Sequence, residues 1–465
     1  MLACQAETHD DPVNVVLLMA DDMGWAQTGY YGHPLLKTPH LDAMAAAGLR
    51  MDRFYAGAPS CTPTRATVLT GRTNDRTGAF RVGDSINKQE KTLAAAFRQA
   101  GYATAHFGKW HLNDVNPAGD NPLPADDPHN PGELGFDYWL SDTNQFNVDP
   151  VLSEMGAPKQ FQGDSSEVLV AEALRYISEQ REGGKPVFAV IWYASPHRPF
   201  AALPEDEAPF AELDDASRTH HAEILAMDRS IGTLRDGLHE LGIAGNTLVW
   251  FTSDNGGLPD IDYGPEHPGV HPDTTGHLRG FKKDFYEGGL RVPTIVEWPD
   301  VVAPRISGFP ASTMDIFPTL IEVVGLDPES INALHDGISI AGVFESEPAR
   351  RDQPIGFRAS GGLAWLDNDV KLVRNYTAES PEAFELYNVT DDPGEQNNLI
   401  EEQPEIAARM RAELDVWNRS VDASVTGADY PEGRVLPSGR TEARSHSSSA
   451  SRSSVPLSSP PIKNS

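Results

Sequence analysis

The sequence predicts an α/β fold with a smaller α+β unit at its C-terminal end, and three observations carry that expectation. Short apolar, β-branched-rich runs recur along most of the chain, as in Val13–Ala20 and Pro186–Ala194, which is how buried parallel strands read. Stretches with helical apolar periodicity separate them, the alternation of a sheet covered on both faces. Four of the runs stop abruptly at polar residues able to do chemistry: Asp21-Asp22, Lys109 with His111, His197, and Asp254-Asn255. Ligands of open α/β sheets bind beyond the carboxyl ends of the strands. If these strands are parallel, all four sets lie along one edge.

Val13–Ala20 is the first predicted strand and ends at two adjacent carboxylates, which repel unless exposed or bridged by a cation. Asp42–Ala47 begins a small helix, with Gly48 at its C′ position. Pro63 stands where a helix commonly starts, so the helix continuing through Ala66–Thr70 to Gly71 places Cys61 at its N-terminus. Free N–H groups and the positive dipole end there favour an anion and, for an unmodified thiol, a lowered pKa. Ser60, Thr62, Thr64 and Arg65 make the neighbourhood polar, unlike that of a buried structural cysteine. Thr92–Ala100 reads as a helix and Tyr102–Phe107 as a strand leading to Gly108-Lys109-Trp110-His111. Lys109 and His111 are two apart, so in an extended segment they point the same way.

Asn113–Pro131 reads as a loop and Asp164–Arg181 as an amphipathic helix. The strand Pro186–Ala194 ends at Ser195-Pro196-His197-Arg198. A helix follows over Ser217–Leu241, then a strand over Asn246–Thr252, a loop carrying Lys282 and Lys283, a strand over Arg291–Trp298 and a helix over Met314–Val324. Beyond about residue 350, Val370–Val373 and Phe384–Val389 read as an antiparallel pair, and Pro404–Val416 as a terminal helix. The predicted organisation is an N-terminal remnant over 1–11, a catalytic α/β domain over 12–350, a small α+β domain over 351–436 and a Ser-rich disordered tail over 437–465.

The chain has 465 residues, 39% hydrophobic and 23% charged, ordinary for a globular protein. A net charge of −31 argues against nucleic acid as a partner, because such binders need a basic face. An anionic ligand would then require the basic residues to be concentrated at the site. Two cysteines cannot make a disulfide framework. No apolar stretch reaches the roughly 18–20 residues needed to span a bilayer. Met1–Ala6 is too short for a signal peptide, yet Met1-Leu2-Ala3-Cys4 resembles the end of a bacterial lipoprotein leader, so the expected location is periplasmic or secreted.

Asp21, Asp22, Asp254 and Asn255 together offer an all-oxygen ligand set. That suits a hard cation such as Ca²⁺, with Mg²⁺ the alternative, and not the His-containing set expected for zinc.

Cys61-Thr62-Pro63-Thr64-Arg65, running on to Gly71-Arg72, resembles the C-x-P-x-R signature of the type I sulfatases. Val16–Asp22, Gly32–Pro39, Gly48–Arg72, Gly108–Leu112, Ser253–Gly257, Gly280–Pro293 and Glu385–Leu399 also resemble blocks of that family, in order. Tyr31–Arg72 and the choice of Asn255 resemble its arylsulfatase A branch. The resemblance implies an alkaline-phosphatase-like fold: a central, mostly parallel sheet flanked by helices, with a C-terminal antiparallel sheet. It implies Cys61 oxidised to Cα-formylglycine by a formylglycine-generating, sulfatase-maturating enzyme, and calcium held by Asp21, Asp22, Asp254, Asn255 and residue 61. The hydrated aldehyde is then the nucleophile. Lys109, Lys282, Arg65 and the metal offset charge on the sulfate. His197, or Lys282 beside it, protonates the leaving oxygen, and His111 deprotonates the second hydroxyl so that sulfate leaves and the aldehyde reforms.

The implied substrate is a sulfate monoester, with a sulfated carbohydrate as the natural one and aryl sulfates as surrogates. A phosphomonoesterase, phosphodiesterase or phosphonate hydrolase of the same superfamily is the rival enzyme; those commonly use Ser or Thr and two zinc ions. A non-catalytic binder of sulfated glycans is the rival of another class, and it has no need to keep nucleophile and base together. His33, His40, His220, His221 and Lys283 read as surface or supporting residues, and Arg198 and Trp110 as shaping substrate entry.

Overall fold

The computed structural model describes residues 12–115, 121–261, 274–376 and 383–437. The segment with Cys4, parts of the 113–131 and 258–277 loops and the Ser-rich tail lie outside them. Five strands form the centre of the molecule: β1 (Asn14–Ala20), β2 (Ala103–Lys109), β3 (Tyr138–Asp142), β4 (Val187–Trp192) and β5 (Thr247–Ser253). They run parallel in the order β5-β1-β4-β2-β3. Strands Ile295–Glu297, Leu49–Met51 and Arg305–Ser307 extend the sheet beyond β5, and Val151–Glu154 and Ala157–Gln160 extend it beyond β3, making ten. Ile295–Glu297 and Val151–Glu154 join antiparallel to the central strands.

The apolar run of β1 is continuous because both its faces are buried. Val15, Leu17 and Met19 belong to one core cluster, Val16, Leu18 and Ala20 to the other. The first layer receives Ala66, Val68 and Leu69 of helix α1 (Cys61–Thr70). The second receives helices α2 (Ser165–Glu182) and α3 (Asp215–Glu240) through Leu169, Val170, Ile224, Met227 and Ile231. Both helices start on an aspartate: Asp164 accepts from the Ser166 and Glu167 N–H groups, Asp214 from those of Ala216 and Ser217. Each such cap contributes about 1 kcal/mol.

Strands β6 (Ile355–Ala359), β7 (Gly362–Asp367), β8 (Val370–Arg374) and β9 (Glu385–Asn388) form an antiparallel sheet in chain order. Helix α4 (Pro404–Val425) covers one face with Met410 and Leu414 on Leu363, Leu372 and Leu386. The other face packs on the large body, with Phe357, Ala364 and Val373 among Tyr55, Phe285 and Met314.

Several local expectations change. The strand expected over Arg291–Trp298 divides into Arg291–Val292 and Ile295–Glu297, which belong to different sheets; Pro293 between them has no N–H to extend a ladder. Helix α4 runs to Val425 rather than Val416. β3, β6 and β7 carry no run long enough to stand out in the sequence. Gly48 is extended (φ −125°) and not left-handed; a Cβ there would meet the Val296 carbonyl oxygen at 2.4 Å.

Candidate active site

The four polar strand ends meet at one edge because β5, β1, β4 and β2 are adjacent and parallel. Asp21-Asp22 follows β1, and the Asp21 N–H donates to the carbonyl of Ser195 beyond β4 (3.0 Å). Asp22 sits in the left-handed region (φ 68°), and its N–H donates to Asp254 Oδ1 (3.1 Å). Asn255 Nδ2 donates to Asp22 Oδ1 (2.8 Å). Lys109, the last residue of β2, pairs with Asp21 Oδ2. Asp21, Asp22, Lys109, Asp254 and Asn255 are all essentially buried.

Cys61 enters from the opposite side as the first residue of α1, with Ser60 as N-cap. The helix thus begins two residues before Pro63. Its Sγ lies 3.4 Å from Asp21 Oδ1 and 3.3 Å from Lys282 Nζ. Arg65, one turn on and so on the same face, donates from Nη2 to Asp254 Oδ2 (2.9 Å) and from Nη1 to the Lys109 carbonyl (3.1 Å). The Trp192 ring lies beneath its guanidinium at 5.0 Å.

Lys282 arrives by a close approach of two loops. A Cβ on Gly256 would stand 1.8 Å from the Gly288 carbonyl oxygen. With glycine there, Gly256 N–H reaches Gly289 O (3.0 Å) and Lys282 N–H reaches Gly257 O (3.0 Å). Lys282 Nζ then donates to Asp22 Oδ2 at 2.7 Å. His197 Nε2 lies 3.6 Å from the same oxygen, and its Nδ1 contacts the Arg198 carbonyl.

The charges constrain one another. Burial raises the Asp21 carboxyl, but Lys109, His197, Arg65 and Lys282 hold it well below its ordinary range. Asp254 goes the other way, to about 7, through burial and the Asp21 and Asp22 charges, with Arg65 opposing. The pairing with Asp22 outweighs burial at Lys282, whose ammonium is strongly held. Burial and Lys109 lower His197. The lowered thiol expected at Cys61 is not found. Burial first, then the Asp21 and Asp254 charges, push it well above its ordinary value, with Lys282 and Lys109 opposing.

Asp21, Asp22, Cys61 and His197 each offer a ligand atom within 4.8 Å of the others. His197 joins that set and Asp254 does not, whereas sequence reasoning placed Asp254 among the ligands and His197 in proton transfer. Asn255 Oδ1 is buried with no hydrogen-bond partner among the described residues. An orphaned amide oxygen beside mutually repelling buried carboxylates fits a hard cation.

His111 lies beyond the strand end in the left-handed region (φ 54°), so it does not continue the extended direction of Lys109. Its N–H donates to the Thr143 carbonyl, and its own carbonyl accepts from Thr62 Oγ1 (2.8 Å), tying it to the residue after Cys61. Trp110 is fully buried, with Nε1 donating to the His129 carbonyl; it is core, not an entry residue. Arg198 is half-buried and pairs with Asp260. His33, His220 and His221 are buried rather than on the surface. His220 Nε2 meets Gln27 Nε2 (2.7 Å), and Gln27 Oε1 accepts from Gly24 N–H (2.8 Å). This link supports the turn after Asp22, and nothing in the local sequence around His220 announces it.

The sheet, its helical layers and the second antiparallel sheet define an α/β protein of the alkaline-phosphatase-like fold. That fold is shared with a sulfatase from Pseudoalteromonas sp. (TM-score 0.72, 23% identity, 90% of this chain and 91% of that one). It is also shared with the phosphonate monoester hydrolase of Agrobacterium radiobacter (TM-score 0.61, 20% identity, 88% and 96%). The chain belongs to the sulfatase family, whose model matches residues 13–326. It is 32% identical to N-acetylgalactosamine-6-sulfatase of Sus scrofa over 365 residues, 71% of this chain. That match spans 65% of the relative, just under two thirds of its length. Arylsulfatase A of Bos taurus is 28% identical over 89% of both chains. The ulvan-active sulfatase of Formosa agariphila is 28% identical over 94% of this chain and 90% of its own. Among the described residues, no helix is long and apolar enough to cross a membrane.

Proposed function

We propose that this chain is a sulfuric ester hydrolase that removes sulfate from a carbohydrate through residue 61 as formylglycine, made by a maturating enzyme, with Ca²⁺ bound beside it. Residues 12–350 are the catalytic unit in this reading, and the location is periplasmic or secreted. The observation that carries the proposal is the position of Cys61 Sγ between Asp21 and Lys282, at the strand edge of a chain in the sulfatase family. The names of the relatives, which include an ulvan-active and an N-acetylgalactosamine-6-sulfatase beside arylsulfatase A, support a carbohydrate substrate with aryl sulfates as surrogates.

Asp21, Asp22, Asp254 and the free oxygen of Asn255 are the ligands for the cation, which lends positive charge to the sulfate oxygens when bound. The hydrated aldehyde of residue 61 supplies the nucleophilic hydroxyl. Lys109 beside Asp21, and Lys282 held as an ammonium by Asp22, face the negative charge that develops on sulfate. Arg65 braces Asp254 and the end of β2. His197 gives a proton to the leaving oxygen, with Lys282 the second candidate. His111 takes the proton whose removal releases sulfate. Phosphonate hydrolysis on the same fold is distinguished by substrate, not by architecture.

Peptide mass spectrometry of residue 61, after expression with a maturating enzyme, is expected to show the aldehyde; unmodified thiol alone overturns the mechanism. Cys61→Ala should fold normally and lose on the order of 10³-fold or more in sulfate release. Turnover of phosphate or phosphonate esters in preference to sulfate esters would favour the rival enzyme, and glycan binding without any turnover the binding protein.

A further inference from the structure

The two lysines in the loop after residue 281 have different surroundings. Lys282 Nζ is on Asp22 and Cys61. Lys283 is exposed and lines a cavity of about 80 Å³ with Ser60, Val82, Phe285, Ser360 and Tyr376. These residues come from the turn before α1, the loop over α1, the lysine loop, the β6–β7 turn and the segment after β8. The cavity therefore lies on the seam between the two sheets. It adjoins the candidate active site, because Ser60 precedes Cys61 and Lys283 follows Lys282.

Three features of this cavity point to an anion. Lys109, Lys282 and Arg65 are all paired with carboxylates. Among the described residues Lys283 has no ion pair, and no acidic residue lines the cavity. In a chain of net charge −31, an unpaired cation beside the site is a local reversal of sign. Lys283 is also held at φ 82°, with its N–H on the Pro59 carbonyl (2.8 Å). A lysine there costs roughly 1–2 kcal/mol that glycine would not, and such strain concentrates at ligand sites. Finally, the hydroxyls of Ser60, Ser360 and Tyr376 make no hydrogen bond within the described protein and are available as donors.

We propose that this cavity is a second anion subsite, which takes a sulfate or carboxylate carried on the sugar next to the one being desulfated. The inference rests on the sulfatase reading above and makes the substrate a polyanionic glycan. At about 80 Å³ the cavity is small against ligand pockets of roughly 300–1,000 Å³. It suits one substituent and not a whole sugar ring. Lys283 supplies the charge-assisted hydrogen bond, the hydroxyls add neutral ones, and buried Phe285 gives the cavity an apolar wall.

Binding provides the test. Cys61→Ala protein is titrated calorimetrically with chondroitin and ulvan disaccharides in three forms: monosulfated and carboxyl-reduced, monosulfated with the uronate intact, and disulfated with the carboxyl reduced. The titrations are repeated with Lys283→Ala or Lys283→Glu added. The affinity ratio of doubly to singly anionic probes is expected to fall about tenfold with Lys283→Ala and further with Lys283→Glu. A larger fall for the disulfated form assigns the occupant as sulfate, and for the uronate form as carboxylate. An unchanged ratio, an equal loss for every probe, or no binding of any probe overturns the subsite. Sulfate release by the mature wild-type protein is measured in parallel. Its absence counts against the hydrolytic reading, while the binding ratios still decide the subsite.

Discussion

Asp254 shows how much the site asks of one carboxylate. It accepts from the Asp22 N–H with one oxygen and from Arg65 with the other. Burial and the neighbouring Asp21 and Asp22 charges raise it to about 7. A divalent cation among these groups removes the repulsion that raises it. Asp254→Ala is therefore expected to lose calcium, read by metal analysis of dialysed protein, together with sulfate release; full activity in that variant refutes the ligand assignment. Gly108 makes a comparable demand on backbone. At φ 98° it sits where a Cβ would meet the Trp192 carbonyl oxygen at 2.1 Å. Gly108→Ala should cost about 2–3 kcal/mol in urea unfolding and reduce activity more than Ala substitutions elsewhere on β2, because Lys109 is the next residue.

At the scale of elements, α3 carries a buried histidine that makes the protein sensitive to acid. His221 Nδ1 lies 2.6 Å from the Ser217 carbonyl oxygen one turn earlier. Burial lowers its pKa from 6.5 to about 4, opposed by that hydrogen bond. The folded state thus favours the neutral ring. Above pH 6.5 both states are neutral and nothing is lost. As pH falls from 6.5 towards 4, the unfolded chain takes up a proton that the folded chain refuses, and stability drops. Between pH 7 and pH 5 the loss is about 2 kcal/mol. His221→Gln should flatten this part of the pH dependence in urea titrations; an identical slope in both proteins refutes it.

At the scale of the whole molecule, the two sheets are joined by buried charge as well as apolar contact. Lys371 of β8 reaches Glu287 Oε1 and Glu395 Oε1, each at 2.9 Å, and all three residues are buried. Tyr55 adds a hydrogen bond to Glu287 (3.0 Å). Glu287 belongs to the same loop as Lys282, so this junction also fixes the reach of Lys282 into the site. Lys371→Met leaves buried Glu395 without its cation and Glu287 with only Arg291 at 3.7 Å, and should cost about 3–5 kcal/mol, seen as a lower Tm. An unchanged Tm would show that the junction does not couple the sheets.

β1, β2, β4 and β5 are legible in the sequence because burial on both faces demands uninterrupted apolar runs, a local pattern. Asp21-Asp22, Lys109, His197 and Asp254-Asn255 are legible because polar groups ending such runs are out of place in a core. The residues of α1 are legible through their motif. β3, β6 and β7 are not, since their short, mixed runs become strands only when a neighbour supplies the ladder. Nor are the burial of His220 against Gln27, the high thiol pKa of Cys61, or the different surroundings of Lys282 and Lys283. Those depend on groups up to hundreds of residues apart brought together by strand order, by the Gly256–Gly288 approach and by the seam between the sheets. Periodicity and chemical type are properties of neighbours in the chain, and sequence alone determined them here. Field, burial and the shape of a cavity are properties of neighbours in space, and only the tertiary structure decided them.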